Sequence, residues 1–512
     1  MHSYRVGRKI KPLSELVTIV NQLKAEGKRI VLGHGVFDLM HIGHMYYLEQ
    51  AADLGDVLIV SIVDDKFVRK GSDRPCFAET IRRRSIASLG FVDFVAPCHE
   101  IGPYEIIRTL KPDVYVRAEK VAPLLDDPES GLSKDKEILD SVGGEMIFVQ
   151  QMPLVNSTNL LNRYFPTNSP EVMNFLESFK MRHEYQNVVG KIKELSGLKV
   201  LVVGETIIDE YCHAVPLVGK PSKAPIVAVE LKEKEIFAGG VLACANHVAG
   251  LCNRVDALTY IGKNDNREEF LRSKLRSNIN PIFFHCSDRP TITKTRFVEP
   301  AYFTKMFEVY EFDRRFLPSE LENEIAAYLM KHISEYDLVV VTDYGHGFFS
   351  RGLISILTEQ AKFLAVNAQT NSGNMGFNYI TKYQKAGYVC IDEIEARLAT
   401  HDNTSPIEYV IRDVNNKISA KNIIVTMGHR GSIFLDGKEV KMMPSFTAKV
   451  VDSVGAGDAF LAFSSVCAAG NLPIELTALV GNITGAIAVS ILGNKFAVDP
   501  EIFFRHLKHL LD

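Results

Sequence analysis

Val451-Asp-Ser-Val-Gly-Ala-Gly-Asp-Ala-Phe460 leads into a long apolar stretch with helical spacing. Gly455, Ala456 and Gly457 make a compact turn at a helix start, where the first backbone N–H groups have no partner inside the helix. Such a nest of amides faces anions and can hold the charge of a migrating phosphoryl group. Asp458 follows directly, placed to take a proton from a hydroxyl. A bare Gly-x-Gly-Asp would read as a glycine-rich cap beside a helix-starting aspartate. The extended stretch is far more specific.

The surrounding chain alternates strands and helices, the pattern of an α/β fold with parallel sheets. Lys199–Val203 (KVLVV) opens the series that carries the motif, and Val339–Tyr344 (VVVTDY) is a later strand. Pro225–Leu231 (PIVAVEL) alternates in a way that places strands outside the main sheet. Ala478–Leu492 is apolar but short for a membrane span and holds Asn482 and Thr484, so it reads as a buried helix. Met442–Met443 read as a strand edge. A separate series precedes all this: Arg29–Leu32, Val57–Val63, Phe91–Val95 and Val114–Val116 as strands, with His44–Leu54 helical. The turn-rich PTNSP at 166–170 separates the two. The expected organisation is a first domain over 1–166, a helical linker over 167–196 and a second domain over 197–512.

Two domains suit 512 residues, too many for a single core. A net charge of -4 with both signs mixed gives no electrostatic case for nucleic acid or an anionic membrane surface. The 8 cysteines form no C-x-x-C pair, so reduced thiols in a cytoplasmic setting are expected.

Near the start stands Gly33-His-Gly-Val-Phe-Asp-Leu-Met-His-Ile-Gly-His44. A buried strand runs into a glycine-bearing turn and then a helix. His41 and His44 fall three apart at the helix start, so both imidazoles share one face. The helix N-terminus suits phosphate, and Gly43 lets it approach the backbone. The implied chemistry is attack on an α-phosphate with pyrophosphate leaving, where charge stabilisation carries the rate.

This first segment resembles the cytidylyltransferase-like nucleotidyltransferases, with a Rossmann-like fold, and most of all the adenylyltransferase half of the bifunctional heptose kinase/adenylyltransferases of lipopolysaccharide synthesis. The resemblance implies Gly35, Val36, Phe37 and Gly43 on the nucleotide, beside His41 and His44. It continues through Asp64–Asp65, through Lys70 as the phosphate-binding lysine of Arg69–Pro75, and through Arg82. Ser157 and Thr158, in Asn156–Arg163, are either phosphate ligands or plain helix caps. The family carries Lys-Gly after the strand at Val114–Val116, near the base; this chain has Arg117-Ala-Glu-Lys120.

The motif at 451–460 resembles the signature of ribokinase-like carbohydrate kinases, over about 197–512. The resemblance implies Asp458 as the base, and Gly455, Ala456, Gly457, Thr426, Gly428 and Gly431 on the nucleotide. It implies Asp209, Gly239, Gly240 and Asn246 on the sugar, and a small β-lid over 212–238 that often makes a dimer contact, so a homo-oligomer is expected. Arg289–Arg296 resembles a strand particular to heptose kinases, and Asp343 would lie near the reacting phosphates with a metal role. Where the family has Asn-x-x-Glu for magnesium-bound water, this chain reads Cys390-Ile-Asp-Glu393; Glu393 is the expected metal residue, with Asp392 or Glu395 able to assist. The family's Asp-Pro-Lys is replaced by the amide-rich run Asn367–Asn378, either a substrate adaptation or an ordinary loop. His346 reads as an exposed loop histidine.

The expected activity is bifunctional. ATP phosphorylates a sugar or sugar phosphate, ATP or CTP gives a nucleotide sugar, and Mg2+ serves both triphosphates. In the lipopolysaccharide enzymes the kinase half comes first; here the order is reversed. The alternative is one active domain with the other as a nucleotide- or sugar-binding regulatory module.

Overall fold

The computed structural model describes residues 3–68, 75–100, 102–127, 130–150, 170–217, 228–301, 303–447 and 450–511. The chain divides into two compact units, Met1–Thr167 and Asn168–Asp512. Both are α/β.

The first unit has strands β1 (Ile30–Gly35), β2 (Val57–Val63), β3 (Phe94–Cys98), β4 (Val114–Ala118) and β5 (Glu145–Val149). They form one parallel sheet in the order β3-β2-β1-β4-β5. β2 is buried at every position, as its run, apolar but for Ser61, requires between two helical layers. Val31 points into one core with Leu48 and Val60, while Ile30 and Leu32 point into the other with Leu16 and Ile107. Strand order reverses beside β1, so the segment leaving its C-terminal end opens at a topological switch point.

The second unit has a nine-stranded sheet and a four-stranded one. Strands β6 (Lys199–Gly204), β9 (Arg254–Gly262), β10 (Ile279–Cys286), β13 (Leu338–Asp343), β14 (Leu364–Ala368), β15 (Lys385–Asp392), β16 (Ser419–Thr426), β17 (Ser432–Asp436) and β18 (Glu439–Met443) make the large sheet. Its order is β10-β9-β6-β13-β14-β15-β16-β17-β18, parallel except for the antiparallel pairings of β17 with β16 and β18. Val200 and Val202 enter one core, Leu201 and Val203 the other, the period-two division of a sheet covered on both faces. Strand order switches between β6 and β13, whose ends pair at Thr342 and Gly204. The helices Ala456–Ala469 and Ile474–Ala488 pack in the same core as Val200 and Val202.

Strands β7 (Thr206–Pro216), β8 (Val229–Gly240), β11 (Ile292–Glu299) and β12 (Thr304–Glu311) form the small sheet, in the order β12-β11-β7-β8. This is the strand pairing outside the main sheet that the alternation near 225–231 anticipates. The segment expected as a helical linker contains helices Pro170–Lys180 and Tyr185–Glu194, and their Val172, Leu176, Phe179, Val188 and Ile192 lie in the second unit's core.

Candidate functional sites

In the first unit, the segment after β1 turns twice through left-handed backbone, at Phe37 (φ 49) and Leu39 (φ 48). Neither residue adopts that conformation cheaply, and such strain gathers at ligand-binding turns. The turn ends at His41, which caps the helix Ile42–Ala52: its Nδ1 accepts from the Gly43 N–H at 3.0 Å. A neutral His41 ring therefore carries its proton on Nε2. The His44 ring stacks on it, centroids 4.0 Å apart, and meets the Phe37 ring edge-on at 5.5 Å. Both imidazoles are half-buried, at the mouth of the turn. The Phe37 ring also lies over Gly35, where an added Cβ would come 3.0 Å from Cε2. Gly35, Val36, Phe37, Gly43, His41 and His44 thus form one cluster.

Arg82 does not present its charge to this cluster. It is 1% exposed. Nε donates to Phe77 O at 2.9 Å, Nη1 to Val36 O at 2.5 Å, and Nη2 to Val63 O at 2.8 Å and Asp65 Oδ1 at 2.6 Å. The expected nucleotide contact is replaced by a brace that joins the turn to the end of β2. Arg82→Met is expected to destabilise this region by about 3 kcal/mol, since several buried carbonyls lose their donor. Faster amide hydrogen exchange over 57–63 would register it; unchanged exchange would restore Arg82 to the nucleotide. Asp38, which sequence reasoning passed over, works beside it: it is buried and accepts from the N–H groups of Cys76 and Phe77 at 2.9 and 3.1 Å. Lys70, Ser157 and Thr158 lie outside the described residues.

Arg117, the departure near the base, donates from Nη1 to Tyr115 Oη at 3.0 Å, and Tyr115 donates to Asp135 Oδ2 at 3.0 Å. Burial pushes Asp135 up to about 6, with Arg117 opposing. A held guanidinium therefore stands at the end of β4.

In the second unit, Gly455 caps the helix Ala456–Ala469 with φ 84, in the left-handed region that glycine tolerates. A Cβ there would lie 2.4 Å from Asn494 Oδ1, whereas one on Gly457 would meet nothing within 4 Å. Asp458, in the first helical turn, is half-buried. Its carboxyl is pushed up to about 6, by burial first and by Asp209 next, against a hydrogen bond from Tyr344 and the Lys294 charge. Tyr344 Oη donates to Asp458 Oδ1 at 2.7 Å.

Asp209 on β7 accepts from Arg296 Nη1 at 2.6 Å and from Asn494 Nδ2 at 2.9 Å. Gly239 on β8, which pairs with Ile207, leaves it room: a Cβ would come 2.0 Å from Asp209 Oδ2. Gly240 has φ 60 at the start of the helix Val241–Val248. Lys294 and Arg296 point the same way from β11, being two apart on a strand. The Lys294 ammonium lies 5.1 Å from the Tyr310 ring centroid and 5.9 Å from that of Tyr344, and burial pulls its pKa down. Asp458, Asp209, Arg296, Lys294, Tyr344, Asn494 and the Gly455 turn therefore converge. Lys294, Arg296, Tyr344 and Asn494 are the members that sequence reasoning did not assign; the alternation of β11 could have found Lys294 and Arg296.

Three expected residues are used elsewhere. Asn246 donates to Lys274 O and accepts from Arg276 N, both at 3.0 Å, so its amide fastens a neighbouring loop. Asp343 is fully buried: Tyr383 Oη donates to Oδ2 at 2.6 Å, Lys382 Nζ lies 2.5 Å from the same atom, and Asn378 and Gly345 donate to Oδ1 at 3.1 Å. It has become an internal strut rather than a metal ligand. Glu393 pairs with Arg397 at 2.9 Å and with Arg430. The Asn-x-x-Glu spacing is filled instead by Asp392 and Glu395. They form a capping box in which Asp392 Oδ1 accepts from Glu395 N at 2.7 Å and Glu395 Oε2 from Asp392 N at 2.8 Å. Glu395 is buried, also accepts from Thr370 N at 2.9 Å, and is pushed up by burial and by the Asp392 carboxylate.

Thr426 ends β16 beside Asp392, and Gly428 (φ 57) and Gly431 (φ 90) shape the turn that follows. A Cβ on Gly431 would come 2.0 Å from Met443 O, so the turn needs glycine there. His346 is not exposed: it is 0% accessible, packed 4.8 Å from the Phe312 ring, and held down to about 3 chiefly by burial. No described helix is long and apolar enough to cross a membrane.

Residues 198–499 match the family model for pfkB family carbohydrate kinases, and residues 32–152 match the cytidylyltransferase-like model. The bifunctional protein HldE of Desulfatibacillum aliphaticivorans is 37% identical over 155 residues, 30% of either chain. HldE of Trichlorobacter lovleyi is 27% identical over 318 residues, 60% of this chain and 62% of that one. The chain thus spans less than two thirds of the length of these relatives. A mutant of phosphofructokinase-2 from Escherichia coli superposes with a TM-score of 0.50 at 15% identity, covering 61% of this chain and 99% of the other, a likeness of fold alone.

Proposed function

The chain belongs to the pfkB family of carbohydrate kinases, and from that premise we propose a bifunctional transferase that makes a nucleotide-activated sugar. The larger unit moves the γ-phosphoryl of ATP to a sugar or sugar phosphate. The smaller one joins a sugar 1-phosphate to a nucleotidyl group from ATP or CTP. The observation that carries the kinase reading is Asp458, set beside the glycine turn that opens its helix and facing a cluster that holds Asp209, Lys294 and Arg296. Asp458 takes the proton of the acceptor hydroxyl as the oxygen–phosphorus bond forms. The amides of Gly455, Ala456 and Gly457 take up the charge on the phosphoryl oxygens. Two cations beside the acceptor carboxylate favour an acceptor that itself carries phosphate.

Mg2+ supplies neutralisation of the triphosphate charge. No group of three or more His, Cys, Asp or Glu among the described residues could cage a metal. That fits an ion held mainly by phosphate and water. Glu393, with Asp392 or Glu395 assisting, would hold its water, and a nearby cation would favour the ionised form of Glu395. A homo-oligomer and a cytoplasmic location complete the reading.

Mass spectrometry of a panel of sugars and sugar phosphates, each with ATP and with CTP, tests it. ADP with a new phosphate ester is the expected kinase product, and pyrophosphate with a nucleotide sugar the expected second product. Silence of both units across the panel would overturn the proposal. The kinase should also lose kcat/KM as pH falls through about 6, because Asp458, pushed up to that value, works only when ionised. A profile flat down to pH 5, to about the range of an ordinary carboxylate, would remove Asp458 from the role.

A further inference from the structure

The amide-rich run at 367–378 and the buried turn at 344–346 remain unexplained by the site as described. They explain each other. The Tyr344 N–H donates to Glu205 Oε2 at 2.9 Å, and the His346 N–H to Glu205 Oε1 at 3.0 Å. One buried carboxyl thus grips both ends of the turn, whose middle residue, Gly345, has φ 71. From the other side, Asn371 Nδ2 and Asn374 Nδ2 donate to Tyr344 O at 2.8 and 3.0 Å. Asn374 and Asn378 donate to Gln369 O at 2.8 and 3.1 Å, and Asn371 Oδ1 accepts from Gly373 N and Asn374 N at 2.9 and 3.1 Å. The run is therefore a brace of side-chain amides on backbone groups. Its target is the backbone of Tyr344, a residue 3% exposed whose ring has no room to move.

The phenol oxygen of Tyr344 donates to Asp458 Oδ1 at 2.7 Å. Asp458 Oδ2 has no hydrogen bond among the described residues and is left for the acceptor. We propose that Tyr344 is the positioning residue of the kinase base: mounted between Glu205 and the Asn371/Asn374 brace, it fixes one carboxylate oxygen of Asp458 so that the other faces the acceptor hydroxyl. The inference rests on the kinase reading above. The same bond favours the ionised carboxylate. It acts against Asp209 and Glu395, whose charges disfavour ionisation, and together with Lys294, which favours it; the Cys244 thiol is the remaining titratable neighbour. The step stays an ordinary proton transfer. The hydroxyl proton goes to Asp458 Oδ2, and Tyr344 keeps its own.

Tyr344→Phe keeps the buried ring and removes only the donor. It should lower kcat by about tenfold or more, the loss of one charge-assisted hydrogen bond. ATP affinity and the acceptor KM should stay near wild type. The acid limb of the kcat pH profile should move up by about one unit. The same shift can be read without turnover, by carboxyl 13C NMR of Asp-labelled protein with the Asp458 signal assigned through Asp458→Asn. An unchanged kcat, or an unmoved Asp458 midpoint, overturns the inference. If Tyr344→Phe no longer binds ATP, Asn374→Ala takes over. A lowered kcat with a raised midpoint then supports the mount, and wild-type values for both overturn it. A wild-type protein that phosphorylates nothing, yet whose Asp458 midpoint still differs from that of Tyr344→Phe, would count against the kinase reading and leave the mount standing.

Discussion

Asp458→Asn is expected to reduce phosphoryl transfer about a thousandfold, the scale of a lost general base, while ATP still binds. The substitution is nearly isosteric, and the asparagine oxygen can still accept from Tyr344 Oη, which lies 2.7 Å from Oδ1 in the native protein. The helix start keeps its three small residues, so the amide nest persists. What disappears is the atom that accepts the acceptor's proton. Without it the hydroxyl must attack while still protonated, and the remaining rate reflects positioning and charge stabilisation alone. ADP release in the presence of acceptor would show the loss, and calorimetry the retained ATP binding. Loss of ATP binding alongside turnover would mean that the substitution damaged the nest, and Asp458 would then be structural. A rate within tenfold of wild type would place the base elsewhere.

The buried strands and both helix-start turns were legible because each rests on a local rule. Val57–Val63 is apolar but for Ser61, and it became a strand buried along its whole length. Gly33–His44 sits where β1 hands over to a helix and Gly455-Ala-Gly457 opens another helix, and the chemistry of each turn is written in consecutive residues. What was illegible depends on partners far along the chain. His346 follows a strand and reads as exposed, but a carboxyl 141 positions earlier, Glu205, pulls the turn inward. Arg82 looks free for a phosphate until three carbonyls from separate segments are seen to claim it. In one dimension Glu393 reads as the metal residue, with Asp392 or Glu395 assisting; the ion pairs of Glu393 with Arg397 and Arg430, and the capping box that ties Glu395 to the backbone of Asp392, appear only in three. The amide run 367–378 has no local signature at all, because its hydrogen bonds brace a turn that no periodicity marks.

The second large effect concerns the smaller unit. His44→Ala should depress nucleotidyl transfer by about a hundredfold or more, the range for removing one pre-placed donor to a developing oxyanion, and leave kinase turnover intact. His44 is the informative choice of the pair. His41 has two jobs: it faces its neighbour across 4.0 Å, and its Nδ1 caps the helix by accepting from Gly43 N. His41→Ala therefore costs about 1 kcal/mol of local stability as well, and a lost activity would be ambiguous. His44 lies inside the first turn of the helix, where alanine is the better helix former. Its removal leaves the Phe37 ring one edge contact poorer but keeps the backbone path through Phe37 and Leu39, which the residues after β1 set. Pyrophosphate release from ATP or CTP with a sugar 1-phosphate measures the loss, and ADP formation in the same preparation serves as the internal control. If both activities fell together in a protein that still binds ATP at the kinase unit, the two sites would not be independent. If pyrophosphate release were unchanged, the stacked imidazoles would be a structural pair and the smaller unit's chemistry would have to be sought at the Arg117–Tyr115–Asp135 chain instead.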